Sequence, residues 1–190
     1  MKKARQIVIP EDRPLTFEEF YDFDLHARNS SIWYATEYTR SEQQIIEKLL
    51  AKGYIRDDVE YVDKEGVEHR ANIIDNVLET LRENYLVSDD SYALGLINRY
   101  RGSKRGDGYI RRQVIAKGID ADVVDRLLEE TADEEKTFEA IEALAERYMN
   151  SSAYLRVEEG FKRSQKLTTH LVSRGFSFSD IQDWKDQREE

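Results

Sequence analysis

The chain has 190 residues and a net charge of −10, with 36% charged and 39% hydrophobic residues. Its acidity argues against a free-standing nucleic-acid-binding protein, because such proteins usually carry a basic excess that neutralises phosphates. No cysteine occurs, which excludes disulfides and thiolate metal sites and is typical of the reducing cytoplasm, and no apolar run approaches the roughly 18 residues of a membrane span.

The first third of the chain begins with a segment that has no clear hydrophobic periodicity. Residues 1–30 mix charges, both prolines and four aromatic residues, a pattern that predicts an N-terminal arm. The aromatic-rich residues 32–38 predict a short helix. Ser41, with Gln44 three residues later, has the pattern of a capping box and begins a second helix that ends at Lys52–Gly53.

Residues 57–69 do not have a helical period. Val59, Tyr61 and Val67 favour strands and Gly66 favours a turn, so a small β-hairpin is predicted. It has no counterpart later in the chain and is therefore predicted to be an insertion. After it, Asn72 caps a third helix, whose apolar residues follow the helical spacing of three and four.

The middle of the chain begins with Ser88 as a helix N-cap. Residues 101–108, RGSKRGDG, lead from this helix into the next one. Their glycines faintly resemble a phosphate-binding loop, but no strand precedes them and no Lys-Ser/Thr pair follows, so a flexible helix–helix connection is predicted. Further helices are predicted from about Asp133, over residues 167–174 and from Ile181.

Three segments of the chain resemble one another: residues 45–54, 110–119 and 167–176. Each has apolar residues on one helical face, followed by a basic residue and a glycine, which is how many helices end. The pattern predicts an all-α fold, an elongated and curved array of three tandem three-helix repeats with the hairpin inserted in the first. The predicted boundaries are 1–30 for the arm, 31–87 for repeat 1, 88–132 for repeat 2 and 133–190 for repeat 3.

Basic residues are concentrated in the first half of the second repeat. Residues 95–118 contain seven bases and a single acid, Asp107. A charge run is often only a solvated helix face, and an interaction surface is the alternative; the sequence leaves both open. A shorter basic stretch follows at residues 162–174.

No catalytic motif is present. The sequence contains no HExxH, GxSxG or Walker-type loop, and His26, His69 and His170 fall in three different predicted elements. The pattern predicts a binding protein and not an enzyme, with no cofactor and no metal site.

Several of these segments resemble the RecX family, whose members regulate the RecA recombinase. Residues 85–93 (YLVSDDSYA), 104–106 (KRG) and 116–119 (AKGI) resemble the central repeat of that family, residues 171–181 its last repeat and residues 41–53 its first. The resemblance covers about residues 31–186, and no single motif is as specific as the ordered set. The hairpin is a departure from the family pattern.

The resemblance implies a protein that lies in the helical groove of the RecA–DNA filament and bridges its protomers. There it would inhibit ATP hydrolysis, strand exchange and co-protease activity, in DNA repair and the SOS response, acting as a cytoplasmic monomer that meets DNA only within the filament. A direct nucleic-acid-binding protein built from helix-turn-helix-like units is the alternative. The predicted partner-binding residues are Arg99, Arg101, Lys104, Arg105, Arg111, Arg112, Lys117, Lys162, Arg163 and Lys166.

Overall fold

The computed structural model describes residues 8–158 and 160–189 of the chain. It forms two compact units, Met1–Tyr92 and Ala93–Glu190. The first seven residues of the predicted arm lie outside the described residues. Within the described ranges, no helix has both the length and the apolar composition needed to cross a lipid bilayer.

The first unit combines three helices with a small sheet. Its elements, in chain order, are β1 (Leu15–Thr16), α1 (Phe17–Glu37), α2 (Glu42–Ala51), β2 (Val59–Val62), β3 (Glu68–Ala71) and α3 (Ile73–Glu83).

Helix α1 begins well before the predicted short helix over residues 32–38, so the prediction of an arm through residue 30 is wrong from residue 15 onward. Thr16 caps the helix: its Oγ1 accepts from the Glu19 backbone N–H at 3.2 Å, and the Glu19 carboxylate accepts from the Thr16 N–H at 2.9 Å. The helix buries the small residues Ala27, Ser31 and Ala35. A buried face of small residues gives almost no hydrophobic period, which is why the sequence pattern does not reveal it.

The predicted hairpin is present and is part of a three-stranded sheet. Strands β2 and β3 pair antiparallel, and Gly66 in their turn has a φ of +85°. Strand β1 pairs in parallel with β2, and the Phe20 ring of α1 stacks on Tyr61 of β2 with centroids 3.9 Å apart. The insertion therefore anchors the beginning of α1 to the first unit.

The caps predicted for α2 and α3 are confirmed. Ser41 and Gln44 form the capping box of α2, and the side-chain oxygen of Asn72 accepts from two backbone N–H groups at the start of α3. The two helices contribute an apolar cluster to the core of the first unit, and the Tyr54 side chain completes it. The Tyr54 hydroxyl donates to the Phe23 carbonyl of α1 at 3.0 Å.

The second unit contains helices joined by short loops, and no strand occurs among its described residues. Its elements, in chain order, are α4 (Asp89–Gly102, which begins in the first unit), α5 (Asp107–Ile115), α6 (Ala121–Glu130), α7 (Glu134–Met149), α8 (Ser152–Leu155), α9 (Phe161–Ser173) and α10 (Phe178–Glu189).

The repeated glycines end helices as the sequence predicts. Gly53, Gly118 and Gly175 have φ values of +97°, +85° and +99°, in the left-handed region that favours glycine. The side chain after each glycine turns into the core: Tyr54, Ile119 and Phe176 are 2%, 2% and 4% exposed. The all-α repeat fold is thus confirmed, while the boundaries of its three repeats stay a prediction.

Candidate partner-binding site

The basic segment of the second unit lies where α4 ends and α5 begins. After α4, the Lys104 N–H donates to the Arg101 carbonyl at 2.8 Å and the Arg105 N–H to the Tyr100 carbonyl at 3.1 Å. These two bonds close a helix end of the type that usually requires glycine at its left-handed position. Here that position is Lys104, with a φ of +55°. An exposed lysine is therefore held in a conformation that costs backbone energy.

The connection between α4 and α5 is not the flexible segment that its glycines predict. The Gly106 N–H donates to the Arg174 carbonyl at 3.0 Å and the Gly108 N–H donates to the Gly175 carbonyl at 2.9 Å. A Cβ at Gly106 would lie 2.4 Å from the Gly175 carbonyl carbon. The glycines thus allow two backbones to pack directly, which fixes the position of the basic loop on the end of α9.

Arg101 braces the second unit, and its side chain is only 25% exposed. Its guanidinium donates to both the side chain and the carbonyl of Thr131, to the Leu128 carbonyl at 3.3 Å, and to the Asp107 carboxylate at 3.2 Å. It links the end of α4 to the start of α5 and to the carbonyl end of α6. Since its donors are used inside the unit, we leave Arg101 out of the partner-binding surface.

Two further bases have partners within the second repeat. Arg111 forms a two-pronged pair with Asp125 of α6, at 2.6 and 2.8 Å. The hydrogen bond raises the pKa of Arg111 and lowers the pKa of Asp125, so the pair stays ionised. The Arg105 guanidinium lies 4.5 Å from the centre of the Tyr109 ring, a cation–π distance. Both bases are held in one orientation.

Three bases of the segment remain open. Arg99, Lys104 and Arg112 are exposed, and each lacks a side-chain hydrogen bond or an ion pair among residues 8–158 and 160–189. Lys117, after the end of α5, is also exposed but has an interaction partner of its own. Fewer bases of residues 95–118 are therefore available to a partner than the sequence indicates.

The basic stretch at residues 162–174 likewise contains both bases with partners inside the unit and a base that has none among the described residues. Lys162 pairs with Glu158 at 2.7 Å, one turn away along the chain. The Arg163 guanidinium donates to the carbonyls of Val157 and Leu155 at 2.9 and 3.2 Å and so holds the connection between α8 and α9. Lys166 is exposed and has no such partner in the described part of the chain.

A cleft of about 940 Å³ opens beside the basic loop, within the second unit. Lys104 and Arg105 line it together with three carboxylates of α10, Asp180, Asp183 and Asp186. Positive and negative groups thus border the same cleft. A ligand with one sign of charge would meet repulsion on part of this surface, whereas a protein surface of mixed charge would complement it.

The histidines do not form a shared site. His69 lies 2.7 Å from Asp63 in the hairpin, and His170 of α9 stacks on Tyr148 at 4.0 Å. Burial and the nearby Arg174 charge lower the pKa of His170. Among the described residues, no group of three or more His, Asp or Glu side chains is placed to hold a metal ion.

A second basic cluster lies in the first unit, and the sequence pattern does not single it out. Arg40 and Lys48 both lie against aromatic rings near the end of α1. The cluster cannot be recognised in the sequence, because Lys48 of α2 is distant from the rings along the chain and contacts them only in the folded protein. The one signal in the sequence is the proximity of Trp33, Tyr34 and Tyr38 to Arg40.

Comparisons with known proteins support one family. The model of "RecX, third three-helix domain" matches residues 134–184. A regulatory protein RecX of Clostridium acetobutylicum is 28% identical over 182 residues, which cover 95% of this chain and 76% of that protein. One of Clostridioides difficile is 26% identical over 184 residues, covering 95% and 75%.

Solved structures agree with these sequence matches. The crystal structure of RecX from Lactobacillus salivarius has a TM-score of 0.72 with this chain at 18% identity, covering 88% of this chain and 97% of that one. A second crystal structure, of a regulatory protein RecX, has a TM-score of 0.66 at 23% identity, covering 94% and 83%. Because both identities are below 25%, these two structures show only that the fold is shared, and the sequence matches are what point to a family. Together these matches support the RecX family for this chain.

Proposed function

We propose that this protein regulates a RecA recombinase by binding in the helical groove of the RecA–DNA filament and inhibiting its activities. The similarity to regulatory proteins RecX supports the regulatory role. On the molecule itself, the proposal is carried by three exposed bases, Arg99, Lys104 and Arg112, which have no ion-pair partner within the described residues. We take these three bases as the partner-binding surface. Lys104 has a left-handed conformation that costs the fold energy, as Tyr85 does, but only Lys104 adds to the basic segment a cation that is unpaired in the described part of the chain, so we infer that its side chain is used outside the fold.

The surface fits a protein groove better than bare DNA. Carboxylates of α10 line the cleft beside Lys104, so the phosphates of DNA would be repelled there. Each exposed ion pair with the partner contributes only about 0–1 kcal/mol. Several together would set the orientation and speed of docking, which is the main effect of charge complementarity at an interface.

Inhibition would follow from bridging. A protein that contacts successive RecA protomers binds one filament geometry and opposes the changes that hydrolysis and strand exchange require. The protein would act without a nucleotide, metal or catalytic step of its own. In this proposal it is a monomer of the cytoplasm that damps ATP hydrolysis, strand exchange and co-protease activity during DNA repair and the SOS response.

The direct test adds the protein to RecA filaments that hydrolyse ATP on single-stranded DNA. We expect hydrolysis to slow as the protein approaches one copy per few protomers. Unchanged hydrolysis and unchanged filament length at stoichiometric protein would refute the proposal.

A charge-reversal variant tests the surface. Lys104→Glu with Arg112→Glu should weaken the inhibition by about tenfold or more, because two attractive contacts become repulsive. Arg111 stays unchanged, since its reversal would also break the pair with Asp125. The matched control is Arg56→Glu with Arg156→Glu, two exposed bases that form no ion pair among residues 8–158 and 160–189 and that change the net charge equally. Equal inhibition by both variants would show that the open bases are only solvated.

The alternative function, direct binding of duplex DNA through helix-turn-helix-like units, has a separate readout. Tight and steeply salt-dependent binding of a duplex without recombinase would favour it. Loss of that binding in the Lys104→Glu, Arg112→Glu variant would assign the duplex to the same surface.

A further inference from the structure

Rings and cations alternate along the surface of the first unit, near the end of α1. Lys48 Nζ lies 5.5 Å from the centre of the Trp33 ring and 3.6 Å from that of Tyr34. The Arg40 guanidinium lies 4.2 Å from the centre of the same Tyr34 ring and 5.1 Å from that of Tyr38. The order is therefore Trp33, Lys48, Tyr34, Arg40, Tyr38. We call these five residues the aromatic–basic row.

The cations of this row lack carboxylate partners. Neither Arg40 nor Lys48 has a carboxylate within ion-pair distance in the described chain, and the same holds for Lys52 beside them. The buried Nε of Arg40 also has no hydrogen-bond acceptor among the described residues. Lys48 Nζ instead donates to the Ser30 carbonyl at 3.1 Å.

Keeping these charges together is unfavourable for the isolated protein. Burial lowers the pKa of Lys48 to about 8; the neighbouring charges of Lys52 and Arg40 lower it further, and the charge of Glu37 offsets part of this effect. Burial likewise lowers the pKa of Lys52. Positive charges that are partly desolvated and mutually repelling become favourable when an anion binds between them.

The rings at the two ends of the row are open. Trp33 and Tyr38 are each 62% exposed, although each has a cation near its ring. Large exposed aromatics are unfavourable in water and often mark a surface that binds something flat or apolar. A ligand of this row must therefore offer both negative charge and flat rings.

We propose that the aromatic–basic row binds single-stranded nucleic acid, with phosphates at Arg40, Lys48 and Lys52 and bases stacked on Trp33 and Tyr38. Stacking platforms beside a basic track are how proteins hold single strands without reading their sequence. A duplex keeps its base faces stacked inside and cannot use the rings in this way. The site lies in the first unit, is separate from Arg99, Lys104 and Arg112, and does not depend on the regulatory function proposed above.

The test uses the full chain and a fluorescein-labelled oligothymidylate of about 15 nucleotides, without recombinase and at low salt. Thymine bases avoid secondary structure in the probe. We expect saturable binding, measured by anisotropy, together with quenching of tryptophan emission. The quenching would report mainly on Trp33, because the only other tryptophan, Trp184, is buried and its indole N–H donates to Glu142.

Removing the stacking rings is the decisive variant. Trp33→Leu with Tyr38→Leu should weaken oligothymidylate binding by at least about tenfold, since stacking on each ring contributes substantially to affinity. The matched control is Phe161→Leu with Phe178→Leu, two aromatics of the second unit that are 81% and 71% exposed. The control should bind as the parent does, and circular dichroism should be the same for all three proteins.

Removing the cations tests the phosphate contacts. Arg40→Gln with Lys48→Gln should weaken binding and reduce the slope of log affinity against log salt by about 0.7 for each phosphate that the variant no longer neutralises. Lys104→Gln with Arg112→Gln, which removes the same amount of charge from the second unit, should weaken oligothymidylate binding much less. Those two results would separate this site from the filament-binding surface, whatever the outcome for recombinase inhibition.

Four outcomes would overturn the proposal. They are no measurable binding at low salt, full binding by the Trp33→Leu, Tyr38→Leu variant, an equal loss in the Phe161→Leu, Phe178→Leu control, and an equal loss in the Lys104→Gln, Arg112→Gln and Arg40→Gln, Lys48→Gln variants. A fifth result, displacement of the oligothymidylate by polyglutamate at equal charge concentration, would assign the row to an acidic protein segment instead and would also contradict it.

Discussion

Two helix ends in the second unit use the same hydrogen-bond pattern with different residues at the left-handed position. At the end of α9 that residue is Gly175, with a φ of +99°; after α4 it is Lys104, with a φ of +55°. A Cβ at Gly175 would lie 2.3 Å from the Tyr109 backbone nitrogen, whereas the Lys104 side chain is exposed. Glycine is therefore required at one end and only preferred at the other.

The comparison distinguishes a residue required by the fold, Gly175, from a residue of the candidate site, Lys104. Gly175 is fixed by the packing of one backbone on another, so any side chain there conflicts with the fold. Lys104 costs the fold energy and makes no side-chain hydrogen bond or ion pair within the described residues that would offset this cost. We infer that the benefit of this lysine lies in an external contact, which is what the filament-binding proposal requires.

The largest expected effect is at the glycine end. Gly175→Ala should destabilise the protein by roughly 3 kcal/mol or more, because it combines a positive φ with a backbone clash. Urea unfolding followed by circular dichroism measures the change. The control, Gly95→Ala inside α4, meets no atom within 4 Å and should stabilise by about 0.5–1 kcal/mol. Similar losses in both variants would show that the close packing of Gly175 is unimportant.

The brace formed by Arg101 should give the next largest effect. Arg101→Met removes its hydrogen bonds to Thr131, Leu128 and Asp107, and we expect a loss of about 2–3 kcal/mol in the free energy of unfolding. The exposed Arg99→Met, two residues earlier on the same helix, is the control and should change stability by less than about 0.5 kcal/mol. If the two variants are equally stable, Arg101 is not a brace and belongs with the partner-binding bases.

Replacement of the residues with a positive φ by glycine should increase the stability of the protein. Lys104→Gly should stabilise the protein by about 0.5–1 kcal/mol, the relief of left-handed strain less the extra entropy of glycine in the unfolded chain. Tyr85, after α3, has a φ of +54° and is 94% exposed, so Tyr85→Gly should stabilise by a similar amount. A loss of stability in either variant, measured by thermal and urea unfolding, would contradict the strain assigned to that residue.

The smallest effect concerns acid stability at the start of α1. Hydrogen bonds from Arg13 and then from the Thr16 backbone lower the pKa of Glu19 to about 2, from a usual value of 4.5. A carboxyl with a lowered folded-state pKa stabilises the protein above about pH 4.5 and loses this contribution as the pH falls toward 2. The Glu19→Gln variant should therefore lose less stability than the parent over that range. Titration of Glu19 by NMR with a midpoint near 4.5 would contradict the assignment.

The repeat framework could be predicted from the sequence, because it depends on local chemistry. A basic residue before glycine ends each repeated helix, and Ser41 and Asn72 cap the helices expected of them. Helix α1 could not be predicted, since it packs through Ala27, Ser31 and Ala35, and two-residue β1 is too short to give a strand pattern. Helix α1 is specified instead by tertiary packing.

The candidate site could be predicted only in part. The basic composition of residues 95–118 is visible in the sequence, but most of the partners of Arg101 and Arg111 lie 14 to 30 residues away along the chain. The same separation hides the meeting of Lys48 with Trp33 and Tyr34. Charge runs show where bases are abundant, and only the fold shows which of them are open.

The most direct measurement of the central claim compares Lys104→Gly with Tyr85→Gly in RecA-dependent ATP hydrolysis on single-stranded DNA. Both variants relieve the same strain, but only one removes an open base of the proposed surface. We expect the Tyr85→Gly variant to inhibit like the parent and the more stable Lys104→Gly variant to need several-fold more protein for half inhibition, as expected for the loss of up to about 1 kcal/mol. Equal inhibition by the two variants would contradict the claim that Lys104 is retained for the partner.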